Sequence, residues 1–174
     1  MKKILLITAV FFASISMYSQ VEYGVRAGLN ISNLDFEPHP SFENSHRNGF
    51  AFGAFVDYKI SESLSVMPEL MYSAEGGKAR ELRADYLHLP VTVRYNLGNL
   101  SIGVGPQASL KIWSHQDGYR NMLFSGVASA KYNITEMFFV DARYNYGLMN
   151  ILDDDLGVEA KNHNFQIGIG VRVD

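Results

Sequence analysis

The stretch Leu87-His88-Leu89-Pro90-Val91-Thr92-Val93-Arg94-Tyr95-Asn96-Leu97, continued after Gly98-Asn99 by Leu100-Ser101-Ile102-Gly103-Val104-Gly105-Pro106-Gln107-Ala108-Ser109-Leu110-Lys111, decides the fold. In both runs an apolar residue stands at every second position, and His88, Thr92, Arg94, Ser101, Gln107 and Lys111 stand between them. A helix cannot segregate two sets that alternate residue by residue; a strand puts them on opposite faces. Gly98-Asn99 reads as a tight turn, so the two runs form an antiparallel hairpin.

The same alternation recurs along the rest of the chain. It runs through Tyr23, Val25, Ala27, Leu29 and Ile31, then through Phe50, Phe52, Ala54, Val56, Tyr58 and Ile60, and through Leu64, Val66, Pro68, Leu70 and Tyr72. After the central hairpin come Phe124 to Tyr132 (the weakest case), Phe138 to Tyr146 and Phe165 to Val173. That makes eight strands, each near the roughly 9–11 residues that cross a bilayer when tilted. The connections alternate as well. Ser32–Asn48, Glu75–Ala84, Trp113–Asn121 and Met149–His163 are longer loops, whereas Ser61-Glu62-Ser63, Gly98-Asn99 and Thr135-Glu136 are tight turns. Short turns on one rim and long loops on the other are the mark of an up-and-down barrel in an outer membrane, with the short rim periplasmic.

The aromatic residues sort to two rims. Tyr58, Tyr95 and Tyr132 each lead into a tight turn, spaced 37 residues apart, and Tyr23 joins them. Phe50, Phe52, Tyr72, Phe124, Tyr146 and Phe165 take the apolar face at the other end. Two aromatic girdles around an aliphatic band describe lipid-facing strands. The alternate face carries Glu22, Arg26, Asp57, Lys59, Glu69, Arg94, Lys111, Lys131, Asp141, Arg143 and Arg172. Facing lipid at the midplane, each Arg or Lys would cost about 2–4 kcal/mol. The charges therefore point inward, into a barrel just wide enough for side chains to fill, and a plugged interior rather than a pore is expected. The fold class is all-β, an eight-stranded antiparallel up-and-down transmembrane β-barrel preceded by a cleavable signal peptide.

That signal peptide is read from Lys2-Lys3, the apolar run Ile4–Ala13 and the small polar residues Ser14, Ser16 and Ser19. The run is too short to span a bilayer as a helix, which takes roughly 20 residues. Cleavage after Ser19 gives a signal at 1–19 and one barrel domain at 20–174. The chain holds 15 basic residues, two of them in the signal, against 18 acidic ones. So acidic a balance gives no basic face for nucleic acid. There is no cysteine, hence no disulfide, thiolate metal site or lipid-anchored cysteine.

Among motifs that could carry chemistry, His88 falls on the inward face and reads as a polar plug residue rather than a catalyst. His39, His46, His115 and His163 fall in outer loops. His39 and His46 with Glu43 lack the close His pair of a firm metal site. Asp153-Asp154-Asp155 with Glu159 lacks the alternating ligands and central Gly of a calcium loop, and reads as a solvated acidic loop. Asn30-Ile31-Ser32 and Asn133-Ile134-Thr135 match the glycosylation pattern by chance. Gly103-Val104-Gly105 and Gly168-Ile169-Gly170 are mid-strand glycines that make room for large interior neighbours, not phosphate loops. Lys78, Arg80 and Arg83 read as a solvated basic face. No catalytic, cofactor or metal residue is assigned.

Tyr86-Leu87-His88-Leu89-Pro90-Val91, Ala142-Arg143-Tyr144-Asn145-Tyr146-Gly147-Leu148 and Gly24-Val25-Arg26-Ala27-Gly28-Leu29-Asn30 together resemble the PorT-like outer-membrane β-barrel family, common in Bacteroidetes. The likeness covers nearly the whole mature chain, and Leu89-Pro90 with the alternating run to Tyr95 is its most specific part. It implies residence in the bacterial outer membrane and no particular activity. One departure is the ending Val171-Arg172-Val173-Asp174, where outer-membrane barrels often carry an aromatic residue linked to recognition by the insertion machinery. The partners expected are outer-membrane lipid and lipopolysaccharide, the barrel-insertion machinery, and an extracellular ligand through the outer loops; a monomer is expected.

Four functions compete. The first is a structural or interaction barrel, and the second a binding protein whose first loop, with Phe36, Pro38, Pro40 and Phe42, is the natural contact surface. The third is a lipid-modifying enzyme, disfavoured by the placement of the histidines. The fourth is a soluble lipocalin-like carrier, which would need Arg26, Arg94 and Arg172 outside and the tyrosine row inside.

Overall fold

The computed structural model describes residues 21–38, 44–152 and 159–173. The expected signal peptide, the segment His39–Glu43 and the acidic run Asp153-Asp154-Asp155 lie outside the described residues. Eight strands follow one another: β1 (Val21–Glu37), β2 (Arg47–Lys59), β3 (Leu64–Gly76), β4 (Arg83–Leu97), β5 (Leu100–Ser114), β6 (Met122–Asn133), β7 (Phe138–Gly147) and β8 (Glu159–Val173). Each pairs antiparallel with the next, and β8 returns to β1, from Tyr23 opposite Val173 to Glu37 opposite Glu159, so the sheet is a closed barrel.

The three tight turns form as the sequence requires. Leu97 pairs with Leu100 across Gly98-Asn99, and Gly98 alone takes a positive φ, 61°, the arrangement of a II′ turn with Gly first. The other two turns are copies of each other. The backbone N–H groups of Ile60 and Ser61 both reach the Leu64 carbonyl, and those of Ile134 and Thr135 both reach that of Phe138. The Ser61 and Thr135 hydroxyls then accept from the N–H groups of Leu64 (3.1 Å) and Phe138 (2.9 Å). The Tyr-x-Ile-[Ser/Thr]-Glu repeat that precedes these turns thus encodes one local structure twice.

The strands run further at the outer rim than the alternation suggests. Ser32–Glu37 belongs to β1, Glu159–His163 to β8, and the second loop shortens to a connection around one 3-10 turn, Arg80–Leu82. The reason is pairing. Polar residues break the apolar pattern there, yet Asn33 lies opposite His163 and Asp35 opposite Lys161, so the ladder continues where the membrane no longer demands apolar side chains. With 17 residues, β1 exceeds what a bilayer crossing needs, and the barrel wall projects beyond the lipid. A register shift between Asp85 and Tyr86 on β4 inserts an extra residue opposite them in β5. It leaves Lys111 inward and Trp113 exposed.

Facing follows the sequence at every strand. Tyr23, Tyr58, Tyr95 and Tyr132 are about half exposed at one rim, Phe50, Phe52, Phe124, Tyr146 and Phe165 are exposed at the other, and exposed Val, Leu and Ile side chains fill the band between. Phe52 stacks on Tyr72 at 5.0 Å. Continuous apolar surface of this extent suits lipid and not water. Arg26, Arg94, Lys131 and Arg143 are buried inside, which is the inverse of a lipocalin-like carrier and rules that alternative out.

Gly103, Gly168 and Gly170 do make room for interior side chains, whereas a Cβ at Gly105 would meet the Val91 carbonyl oxygen at 2.0 Å. A Cβ at Gly170 would lie 2.1 Å from the Phe139 ring, and one at Gly168 2.6 Å from the Arg26 guanidinium. Gly170→Ala should therefore lower unfolding stability by about 1–3 kcal/mol through overpacking, and Phe139→Leu in the same chain should recover part of the loss. Urea titration of the folded barrel in lipid vesicles measures both; equal midpoints for Gly170→Ala and the parent protein would contradict the packing.

Candidate functional site

From the rim of the tight turns toward the rim of the longer loops, the interior is built in layers. Phe55, Met67 and Phe139 form a small apolar cluster. The Lys131 ammonium sits 3.1 Å from Asp57 Oδ2 and over the Phe139 and Phe55 rings, at 5.4 and 5.9 Å. At the barrel opening below it, Glu22 pairs with both Lys59 and Arg172.

The middle layer is an ion network. Arg26 contacts Asp141 at 2.9 Å, Arg143 reaches the same carboxylate at 2.9 Å and Glu69 at 2.8 Å, and Arg26 donates to Gln166 Oε1 at 3.0 Å. Arg94 donates to the Ser129 hydroxyl at 3.3 Å. Among the described residues, four buried cations (Arg26, Arg94, Lys131, Arg143) face four buried carboxylates (Asp57, Glu69, Glu75, Asp141). That equality is what a low-dielectric lumen requires, because an uncompensated charge there would be costly.

The third layer is the arrangement closest to catalytic geometry. His88 Nε2 lies 2.8 Å from Glu75 Oε1, and His88 Nδ1 lies 2.7 Å from Ser109 Oγ. The Gln107 side-chain nitrogen approaches Nδ1 at 3.1 Å, so Nδ1 acts as acceptor and Nε2–H as donor to Glu75. A carboxylate orienting a histidine whose other nitrogen meets a serine hydroxyl has the logic of a nucleophilic triad. The surroundings have not. Asn162 and Asn164 also donate to Glu75, the latter at 2.8 Å, which makes the carboxylate a hub of the packing. The space beside the serine measures about 20 Å³, room for about one water and for no substrate. Glu75, His88 and Ser109 sit on β3, β4 and β5, and all three are buried.

Above this layer the outer end is stoppered. Leu34, Ala84, Tyr86, Tyr119, Leu123, Ile151 and Ala160 form the main apolar cluster, with Phe36, Leu82 and Leu152 packed against it. Loops bring several of these in. Tyr119 bridges to Leu152, and the Arg120 N–H donates to the Ile151 carbonyl at 2.8 Å. Burial pushes the Tyr119 hydroxyl up to about 12, so it stays neutral under the cap.

These positions correct several sequence-based expectations. Phe36 is partly buried and packs against the cap, Pro38 is exposed, and Pro40 and Phe42 lie outside the described residues. His163 belongs to β8 and pairs with Asp35 at 3.2 Å, and Glu159 opens β8; neither is a loop residue. His46 stands exposed on an isolated bridge to Gly77, apart from His88. His88 is inward, as expected. Its partner Glu75 falls in β3 rather than in the expected loop Glu75–Ala84, and it shares the inward parity of Met71 and Ser73. No cluster of three or more metal-ligating side chains occurs among the described residues.

A family model described as an outer membrane protein beta-barrel domain matches residues 12–153. Ail, the attachment invasion locus protein of Yersinia pestis, solved in complex with the heparin analogue sucrose octasulfate, is similar at a TM-score of 0.55 and 17% identity, over 88% of this chain and 99% of that one. Neisserial surface protein A is similar at a TM-score of 0.57 and 15% identity, over 86% of this chain and 96% of that one. At such identities the likeness is one of fold alone. No curated protein matches the chain.

If Glu75 is the hub of the upper layer, Glu75→Leu strands His88, Asn162 and Asn164 and should cost about 3–5 kcal/mol. Glu75→Gln keeps an acceptor oxygen and should cost clearly less. Denaturant unfolding of the two variants checks the order; a Leu variant as stable as the parent would refute it.

Proposed function

The chain belongs to the outer membrane protein beta-barrel domain family and resides in the bacterial outer membrane, and on that ground we propose that it is a sealed barrel acting as a structural and interaction protein through its outer rim. The observation that carries this reading is the filled lumen. Paired charges occupy the middle, the Glu75 hub lies above them, and the Tyr119–Ile151 cap closes the outer end. Such a barrel gives solutes no path. What it offers its surroundings is a lipid-facing wall and a rim of polar loops carried beyond the membrane on the extended ends of β1 and β8.

The same features support the remaining details. Closure leaves no free strand edge to recruit another copy, in keeping with a monomer. The enclosed Ser109–His88–Glu75 group argues for packing rather than a lipid-modifying activity. The basic second loop, with Lys78, Arg80 and Arg83, suits contact with lipopolysaccharide, and a signal peptide over residues 1–19 would deliver the barrel domain at 20–174 to the insertion machinery. Leu89-Pro90 and the run to Tyr95 favour the PorT-like group within the wider family.

Reconstituted in planar bilayers, the protein should show no large, long-lived channel; porin-like openings would overturn the sealed-barrel reading. Topology has its own check, since the native chain has no cysteine. A membrane-impermeant thiol reagent on intact cells should label Ser114→Cys and spare Ser63→Cys, Asn99→Cys and Thr135→Cys. Labelling in the reverse pattern would invert the rim assigned to interaction.

A further inference from the structure

A pocket of about 620 Å³ opens on the lipid-facing side of the outer rim, between the ends of β2 and β3 and the second loop. Its floor is aromatic: Phe50, strongly exposed, and Tyr72, both in the outer girdle. Its wall is basic, formed by His46, Arg47, Lys78 and Arg83. Read from sequence, Lys78 and Arg83 look like part of a solvated loop, because Arg47 and the aromatic floor that complete the pocket lie some 30 residues upstream or on the facing strand.

The wall is built, not frayed. The Lys78 N–H donates to the Ser45 carbonyl at 2.9 Å, and His46 bridges Gly77, which ties the second loop to the first. Arg83 is held by its own donation to the Lys78 carbonyl at 3.0 Å. The Asp85 carboxylate beside the pocket is already engaged by Arg47 at 3.1 Å and by the Tyr72 hydroxyl at 2.7 Å. No ion pair to Lys78 or Arg83 occurs among the described residues, so the pocket keeps an excess of positive charge directly above an apolar floor.

Position and chemistry then select the ligand. A site half in the aromatic girdle faces the level where acyl chains give way to headgroups. Its lower part suits hydrocarbon, and its upper part suits an anion able to accept several charge-assisted hydrogen bonds, for which guanidinium and ammonium groups beside low-dielectric surface are well fitted. We propose that this pocket binds the phosphorylated headgroup of an outer-leaflet glycolipid, with Lys78 and Arg83 as the phosphate-contacting residues and Phe50 and Tyr72 against the adjoining acyl chain. The proposal rests on the outer-membrane reading above and names the site of its lipid contact.

Native mass spectrometry of the folded protein in detergent tests it, with bisphosphorylated lipid A, dephosphorylated lipid A and inorganic phosphate as separate probes. The parent protein should retain one bisphosphorylated lipid A at least tenfold more tightly than the dephosphorylated form. Lys78→Ala with Arg83→Ala should lose that preference, and Lys78→Arg should keep it. Lys78→Glu, which reverses the charge without removing any contact its side chain makes among the described residues, should lose the preference while the protein still shows heat-modifiable migration on a gel. Equal retention of both lipid A forms by the parent, or unchanged retention by Lys78→Glu, would overturn the site. Saturation by millimolar inorganic phosphate with the same dependence on Lys78 would reassign it to a free anion and overturn the lipid. A failed site with closed bilayers and outer labelling of Ser114→Cys leaves the sealed-barrel reading standing; conductance or reversed labelling would fell that reading instead.

Discussion

The seam between β1 and β8 closes the sheet, and the rest of the structure depends on that closure. In hydrocarbon an unpaired strand edge has no water to satisfy it, so only a sheet without edges can cross. Joining the first strand to the last, along fifteen residue pairs from Tyr23–Val173 to Glu37–Glu159, removes the edge. It also fixes the diameter, because eight strands enclose a lumen only wide enough for side chains. Large inward groups can then be admitted only beside small ones. Gly24 lies against the Phe55 ring, Gly170 against that of Phe139, and Gly168 against Arg26 and Asp141.

A narrow lumen lined with charge must satisfy itself. Asp141 serves both Arg26 and Arg143, Glu69 takes the other face of Arg143, and Asp57 holds Lys131. Buried pairs of this kind are weak evidence for stability, because desolvation offsets much of their attraction. Their stronger effect is on register. Sliding any one strand by a single residue would turn its inward charges to lipid and its aliphatic residues into the lumen. With about 2–4 kcal/mol at stake for each midplane Arg or Lys, the network holds each strand in one alignment.

At the outer end the same chain meets a different solvent, and its pattern changes accordingly. Beyond Ile31 the outward positions no longer need to be apolar, and the ladder of β1 with β8 carries Asn33, Asp35, Lys161 and His163. Hydrophobic residues turn inward instead: Leu34 from β1 and Tyr119 and Ile151 from the loops seal the mouth. The loops thereby contribute apolar groups to the cap and leave polar groups and charges of both signs at the membrane surface, which is what gives the rim its chemistry.

Strand number, strand facing, the tight turns and the two girdles could all be read from the chain, because each depends on a pattern within a few residues: period-two alternation, Gly98-Asn99, and tyrosines set at turn ends. The inward placement of Arg94 and His88 followed from the same parity. What the chain did not disclose is which inward residues meet. Glu75 touches His88, Asn162 and Asn164, and Arg47 shares a pocket with Lys78 and Arg83. Those neighbours come from strands and loops far apart in the chain, and their heights in the barrel are set by stagger, by the shift at Asp85–Tyr86 and by closure. Alternation tells a side chain which face it takes; only the assembled barrel decides what stands opposite it, because that depends on the alignment of all eight strands at once.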